Sequence, residues 1–144
     1  MDDYCERIRT ENQELLDEFE NWLREAKGVK GEKTIRTHID NVDFYINTCL
    51  LYEEPQEAKE GVSGISYFLG YWFIRKALWS SKESIKSNAT SLKKFYTFLY
   101  ERGDVKEEAL EQLKVSIKEE MPEWIATVQR YDDPEITDME EVWG

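Results

Sequence analysis

Four lysines have the spacing in this chain most suggestive of chemistry. Lys82, Lys86, Lys93 and Lys94 fall with Thr90 and Thr97 along one side of a segment that a helix winds into a stripe. Ammonium groups so placed meet the phosphates of a nucleic-acid backbone, and hydroxyls between them reach base edges. A solvated helix face has the same composition, so the stripe alone does not decide between the two. Other reactive types are sparse. His38 is the single histidine, on the apolar side of its segment, which suits a packed, hydrogen-bonded imidazole. Cys5 and Cys49 are too few for a disulfide framework or a zinc site, and Cys49 reads as a small hydrophobe on an apolar face. Carboxylates abound, but a dinuclear carboxylate site in a bundle needs Glu-x-x-His pairs, which the sequence lacks, so the acids read as solvated. No glycine-rich phosphate loop, CxxC, HExxH or GxSxG occurs. The expectation is a chain that is not an enzyme and uses no cofactor or metal.

Charge sharpens the question the lysines pose. The net charge of −12 repels phosphates in general. Its distribution is uneven, with −6 over residues 1–23, +2 over 24–40, −4 over 41–74, +5 over 75–106 and −9 over 107–144. Two basic islands therefore sit between acidic ends. Hydrophobic residues at 40% and charged residues at 35% describe a globular chain, and 144 residues suffice for one well-buried core. The longest apolar run, residues 64–74, is too short to span a bilayer, and the polar N-terminal stretch has no apolar leader core. A cytoplasmic protein without a membrane partner is expected.

The elements that must position these residues are helices. Few glycines, few prolines and little β-branched alternation predict an all-α fold, a small bundle of four to six helices. Leu15, Leu16, Phe19, Trp22 and Leu23 mark a first helix over about 11–27. Ile35, His38, Val42, Tyr45 and Cys49 mark a second over about 33–51, with Thr34 in its first turn. Pro55 opens a short helical turn, and a third helix, apolar on nearly all sides, follows over about 62–79. The fourth runs over about 81–102, with Ser80 or Ser81 as N-cap and Gly103 closing it. Ile85, Ala89, Leu92, Tyr96 and Leu99 form its core face, with Phe95 at the edge. A fifth spans about 105–120, and Pro122 restarts a short sixth. One helical domain over 1–131 is thus expected, with an acidic tail over 132–144.

The fourth segment resembles the last helix of the core-binding domain of tyrosine recombinases, the phage integrase family. The likeness rests on Thr90, Leu92, Phe95-Tyr96, Phe98-Leu99 and Arg102-Gly103, followed by Val105. "KTIRTHIDNVDFYI" resembles the family's second helix, with His38 where a tyrosine is usual, and "LLDEFENWLREAKGVKGEKT" resembles the first. The likeness covers about residues 12–106. It implies a helical clamp on duplex DNA, with Lys33, Arg36 and Thr37 of the second helix and Lys82, Lys86, Thr90, Lys93 and Lys94 of the fourth facing the nucleic acid. The family's catalytic tyrosine, arginines and histidines have no counterpart in these 144 residues, so recombinase activity by this chain alone is not expected. The expected role is non-catalytic DNA binding, as an accessory or regulator of recombination. The alternative is a helical module that has lost DNA binding and docks a protein partner or a second copy through Tyr67, Tyr71, Phe73 and Trp79. A third arrangement joins the two, with the acidic tail covering the basic seam and gating access to DNA.

Overall fold

Apolar residues recurring every three to four positions wind five segments into helices in the computed structural model, which describes residues 2–52, 54–77 and 80–132. Helix α1 spans Asp2–Asn21 and runs on through a π-helical turn, Trp22–Ala26. Helix α2 spans Glu32–Phe44 and also ends in a π-helical turn, Tyr45–Cys49. A 3₁₀ helix, Ala58–Ser63, precedes α3, residues 65–76, which consists of Ile65–Tyr67, a π-helical turn Phe68–Trp72, and Phe73–Lys76. Helix α4 is Lys82–Arg102 and α5 is Glu107–Asp132. No strand occurs among the described residues, and no helix among them is long and apolar enough to cross a membrane. The fold is the small all-α bundle that the sequence predicts.

Helix α4 lies between α2 and α5, which makes it the central element. Its predicted core face is buried as expected, and Phe95 joins it at 0% exposure. Phe95 and Phe98 pack on Phe19 of α1 at 5.3 and 5.7 Å between ring centroids. Two buried tyrosines fasten the 3₁₀ turn from beneath. Tyr45 donates to the Gly61 carbonyl at 2.6 Å, and Tyr96 donates to the Ala58 carbonyl at 2.7 Å. Helix α3 closes on α5 because Gly70 has no side chain; a Cβ there would stand 2.8 Å from Trp124 Cδ1.

Four boundaries differ from the sequence reading. Helix α1 begins at Asp2 rather than near residue 11, because its buried stripe starts at Ile8 and passes through Asn12. Asn12 is 1% exposed and donates to Asn47 Oδ1 at 2.7 Å, a polar link between α1 and the end of α2. The helical turn expected at Pro55 forms at Ala58 instead, with Glu57 and Glu60 as a capping box. The third helix begins at Ile65 rather than near 62, since residues up to Ser63 are 3₁₀. Pro122 does not restart a helix: α5 runs through it, so the expected fifth and sixth helices are one. A proline inside a helix removes one backbone bond, and here buried Ile117, Trp124 and Val128 hold both halves in line. Of the expected tail, Asp132 closes α5 and residues 133–144 lie outside the described residues.

Phe73 requires a correction of another kind. It is 0% exposed, so it belongs to the core rather than to a partner-facing surface. The π-helical turn before it rotates the chain less per residue than the usual 100°, so residues after Trp72 are turned back and Phe73 lands beside Phe68 at 5.5 Å. Tyr67 and Tyr71 are exposed and stack at 5.4 Å, with Arg75 4.0 Å over the Tyr71 ring. Trp79 lies outside the described residues.

Candidate nucleic-acid interface

Local sequence fixes the two helices that carry the predicted cations. Ser81 caps α4: its Oγ accepts from the Ser84 N–H at 3.1 Å while Ser84 Oγ accepts from the Ser81 N–H at 2.7 Å. At the other end Gly103 takes a left-handed φ of 91°, which lets the Asp104 N–H return to the Leu99 carbonyl at 2.9 Å. The start of α2 is held to α1 by Arg24, whose guanidinium meets Glu20 at 2.7 Å and Glu32 at 2.5 Å. These bonds raise the Arg24 pKa and hold the Glu32 carboxyl below its ordinary value.

Between α2 and α4 runs a polar seam. Asn41 donates to Ser87 Oγ at 3.0 Å and to Ser91 Oγ at 2.9 Å, and His38 Nδ1 lies 2.7 Å from Ser91 Oγ. Ser91 is 0% and His38 8% exposed, so these bonds replace water and fix how the two helices face each other. Burial lowers the pKa of His38, and the charge of Lys94 lowers it further. The imidazole is therefore neutral at neutral pH, with Ser91 its partner. Its packed, hydrogen-bonded place is the one the sequence suggests. Beside the seam, Asn88 donates to the Ser84 carbonyl at 2.8 Å, while its buried Oδ1 has no partner among the described residues.

The predicted DNA-facing side chains belong to the two helices that this seam joins. Lys33, Arg36 and Thr37 of α2 and Lys82, Lys86, Thr90 and Lys93 of α4 are exposed, and Lys94 is half-buried. Arg36 has one ion pair, with Asp40 at 3.8 Å. Among the described residues no carboxylate pairs with Lys33, Lys82, Lys86, Lys93 or Lys94. In a chain with 31 acidic residues, that leaves a strip of uncommitted cations on one helix pair.

Sequence reasoning missed the other end of the strip. Lys93 and Lys94 border a groove of about 800 Å³ between the end of α1, α4 and α5, joined there by Lys27, Lys114 and Lys118. Its apolar floor is Trp22, Ile117 and Met121, with Lys27 Nζ 5.2 Å from the Trp22 ring, and no carboxylate among the described residues lines it. The signal was present. Lys114, Ile117, Lys118 and Met121 recur at helical spacing, but the −9 of residues 107–144 hides them.

Catalytic clusters do not emerge around these cations. Among the described residues no three of His, Cys, Asp and Glu gather as metal ligands. Cys49 is half-buried, and burial pushes its thiol up to about 12, which keeps it in the unreactive thiol form. Comparison of the chain with family models, with curated proteins and with solved structures finds no match.

Proposed function

We propose that this chain is a non-catalytic domain that holds duplex DNA, resembling the core-binding domain of tyrosine recombinases and acting as an accessory or regulator of recombination. One observation carries the reading: α2 and α4, locked by a buried hydrogen-bonded seam, hold five lysines without carboxylate partners among the described residues of a strongly acidic chain. Lysines left unpaired amid so many acids are available to an anion outside the fold. Their arrangement along two packed helices suits the regular phosphates of a duplex, with Thr37 and Thr90 placed for base edges or sugars. The mechanism is positioning, with no bond made or broken.

The test is anisotropy of a labelled duplex titrated with the full chain from about 50 to about 200 mM salt. If Lys33, Arg36, Lys82, Lys86, Lys93 and Lys94 all meet phosphates, the log–log salt slope is about −5 and affinity falls about 10³-fold over that range. Lys86→Glu with Lys93→Glu lowers the magnitude of the slope by about 2. Absence of binding at low salt overturns the reading. A second reading rests on the exposed Tyr67–Tyr71 stack, which suits a protein partner or a second copy. Concentration-dependent association that Tyr71→Ser abolishes would favour it.

A further inference from the structure

The lysine groove between α1, α4 and α5 has a floor that a strip for phosphate alone does not need. Trp22, Ile117 and Met121 give it an apolar base, and five lysines rim it. An amphipathic, acidic segment fits that pattern, with apolar anchors inside and carboxylates toward the rim. The chain carries such a segment. Residues 133–144 contain Asp133, Glu135, Asp138, Glu140 and Glu141 and no lysine or arginine. Ile136, Met139 and Trp143 are spaced at i, i+3 and i+7, the spacing of anchors along one helical side. Reach is sufficient. Fourteen positions along α5 separate Lys118 from Asp132, about 21 Å at 1.5 Å per residue, while residues 133–136 extended, about 13 Å, and 136–143 as a helix, about 11 Å, together span about 24 Å.

We propose that the chain's own residues 133–144 dock in this groove, with Ile136, Met139 and Trp143 on the apolar floor and the carboxylates on Lys27, Lys93, Lys94, Lys114 and Lys118. Docking of this kind engages Lys93 and Lys94, so the segment and DNA compete for the same cations. That second step rests on the DNA-binding reading; the docking itself does not. A short tether gives an effective concentration of about 1 mM, so an intrinsic dissociation constant of about 0.1 mM weakens DNA binding about tenfold.

Two variants of the full chain test this by amide and indole NMR. The first replaces the anchors with Ile136→Ser, Met139→Ser and Trp143→Ser. The second, Lys114→Glu with Lys118→Glu, alters the groove on α5 at exposed positions outside the predicted DNA set. Docking requires a reciprocal result: the anchor variant moves the Thr97, Ile117 and Met121 signals, and the groove variant moves the Trp143 indole signal. If the anchor variant leaves Thr97, Ile117 and Met121 unmoved, docking is overturned. Should these shifts depend on protein concentration, the occupant is a second copy and docking within one chain is overturned. On labelled duplex at low salt, the anchor variant is expected to bind about tenfold more tightly than the parent chain. Equal DNA affinity alongside reciprocal shifts overturns the competition and upholds docking. Reciprocal shifts with no DNA binding by any form overturn the DNA reading instead, and the docking again stands.

Discussion

Gly61→Ala is expected to destabilise the fold by about 3 kcal/mol, and the reason is purely steric. A Cβ on Gly61 would lie 2.7 Å from Leu50 Cδ1, 2.8 Å from Tyr96 Oη and 3.1 Å from Tyr45 Cε2. Leu50 can swing a methyl aside. Tyr96 cannot: its ring is fully buried and its hydroxyl is bonded to the Ala58 carbonyl at 2.7 Å. Overpacking of this kind costs about 1–3 kcal/mol, and pulling a buried hydroxyl off its acceptor costs a similar amount. For a chain of 144 residues, about 3 kcal/mol lowers Tm by about 10 °C. Urea and thermal unfolding followed by circular dichroism measure both. Gly103→Ala is the control: its Cβ meets nothing within 4 Å, and only its φ of 91° is strained, so about 1 kcal/mol is expected. In a Tyr96→Phe background the obstructing oxygen is gone, so Gly61→Ala should cost less there than in the parent chain. A loss below about 1 kcal/mol for Gly61→Ala, or the same loss with and without the Tyr96 hydroxyl, would refute the reasoning.

The seam between α2 and α4 yields two more expectations. Ser91→Ala removes the partner of His38 and one of the two acceptors of Asn41, so it should cost about 1–3 kcal/mol, against less than about 1 for Ser87→Ala, which breaks one half-buried bond. Chemical denaturation of the two variants compares them directly. The pH dependence follows from the lowered His38 pKa, whose causes are burial first and the Lys94 charge second. Because the unfolded chain takes up its proton first, the stability from neutral His38 is full above about pH 6.5 and declines as pH falls below it. Lys94→Met removes only the second cause, so the pKa should rise yet stay below the ordinary value, as an NMR titration of the single imidazole would record.

How far the sequence disclosed this molecule depends on how local each signal is. The core face of α4 was legible because Ile85, Ala89, Leu92, Tyr96 and Leu99 share one side of an unbroken helix with a serine cap and a glycine stop. The first turns of α1 were not legible, since the buried stripe there includes Asn12, whose partner Asn47 is 35 positions away. Pro122 misled for a similar reason: the rule against proline in helices is local, while Trp124 and Val128 are held by tertiary packing. Phe73 stands among the partner-facing residues of the alternative reading because a helix apolar on nearly all sides has no polar face to separate inward rings from outward ones, and the π-helical turn is what sets Phe73 inward. The candidate interface divides in the same way. Exposed lysines of α4 could be named from spacing and Lys33 of α2 from the family resemblance, but the groove gathers Lys27 from just beyond the end of α1, Lys93 from α4 and Lys114 from α5, and only folding brings them together.

The widened turn in α3 also bears on the length of the chain. A π-helical turn spends more residues on one revolution than an α-turn does, so Phe68–Trp72 holds one residue that a regular helix would not need. Removing Tyr71 would let that stretch close into an ordinary turn while Ile65 and Phe73 keep their inward directions on either side. The core has no use for the surplus residue, because Tyr71 is 48% exposed. What the extra residue supports is the second ring of the Tyr67–Tyr71 stack and the perch beneath Arg75. A chain one residue shorter would keep its interior and lose this aromatic ladder, so the two features stand or fall together.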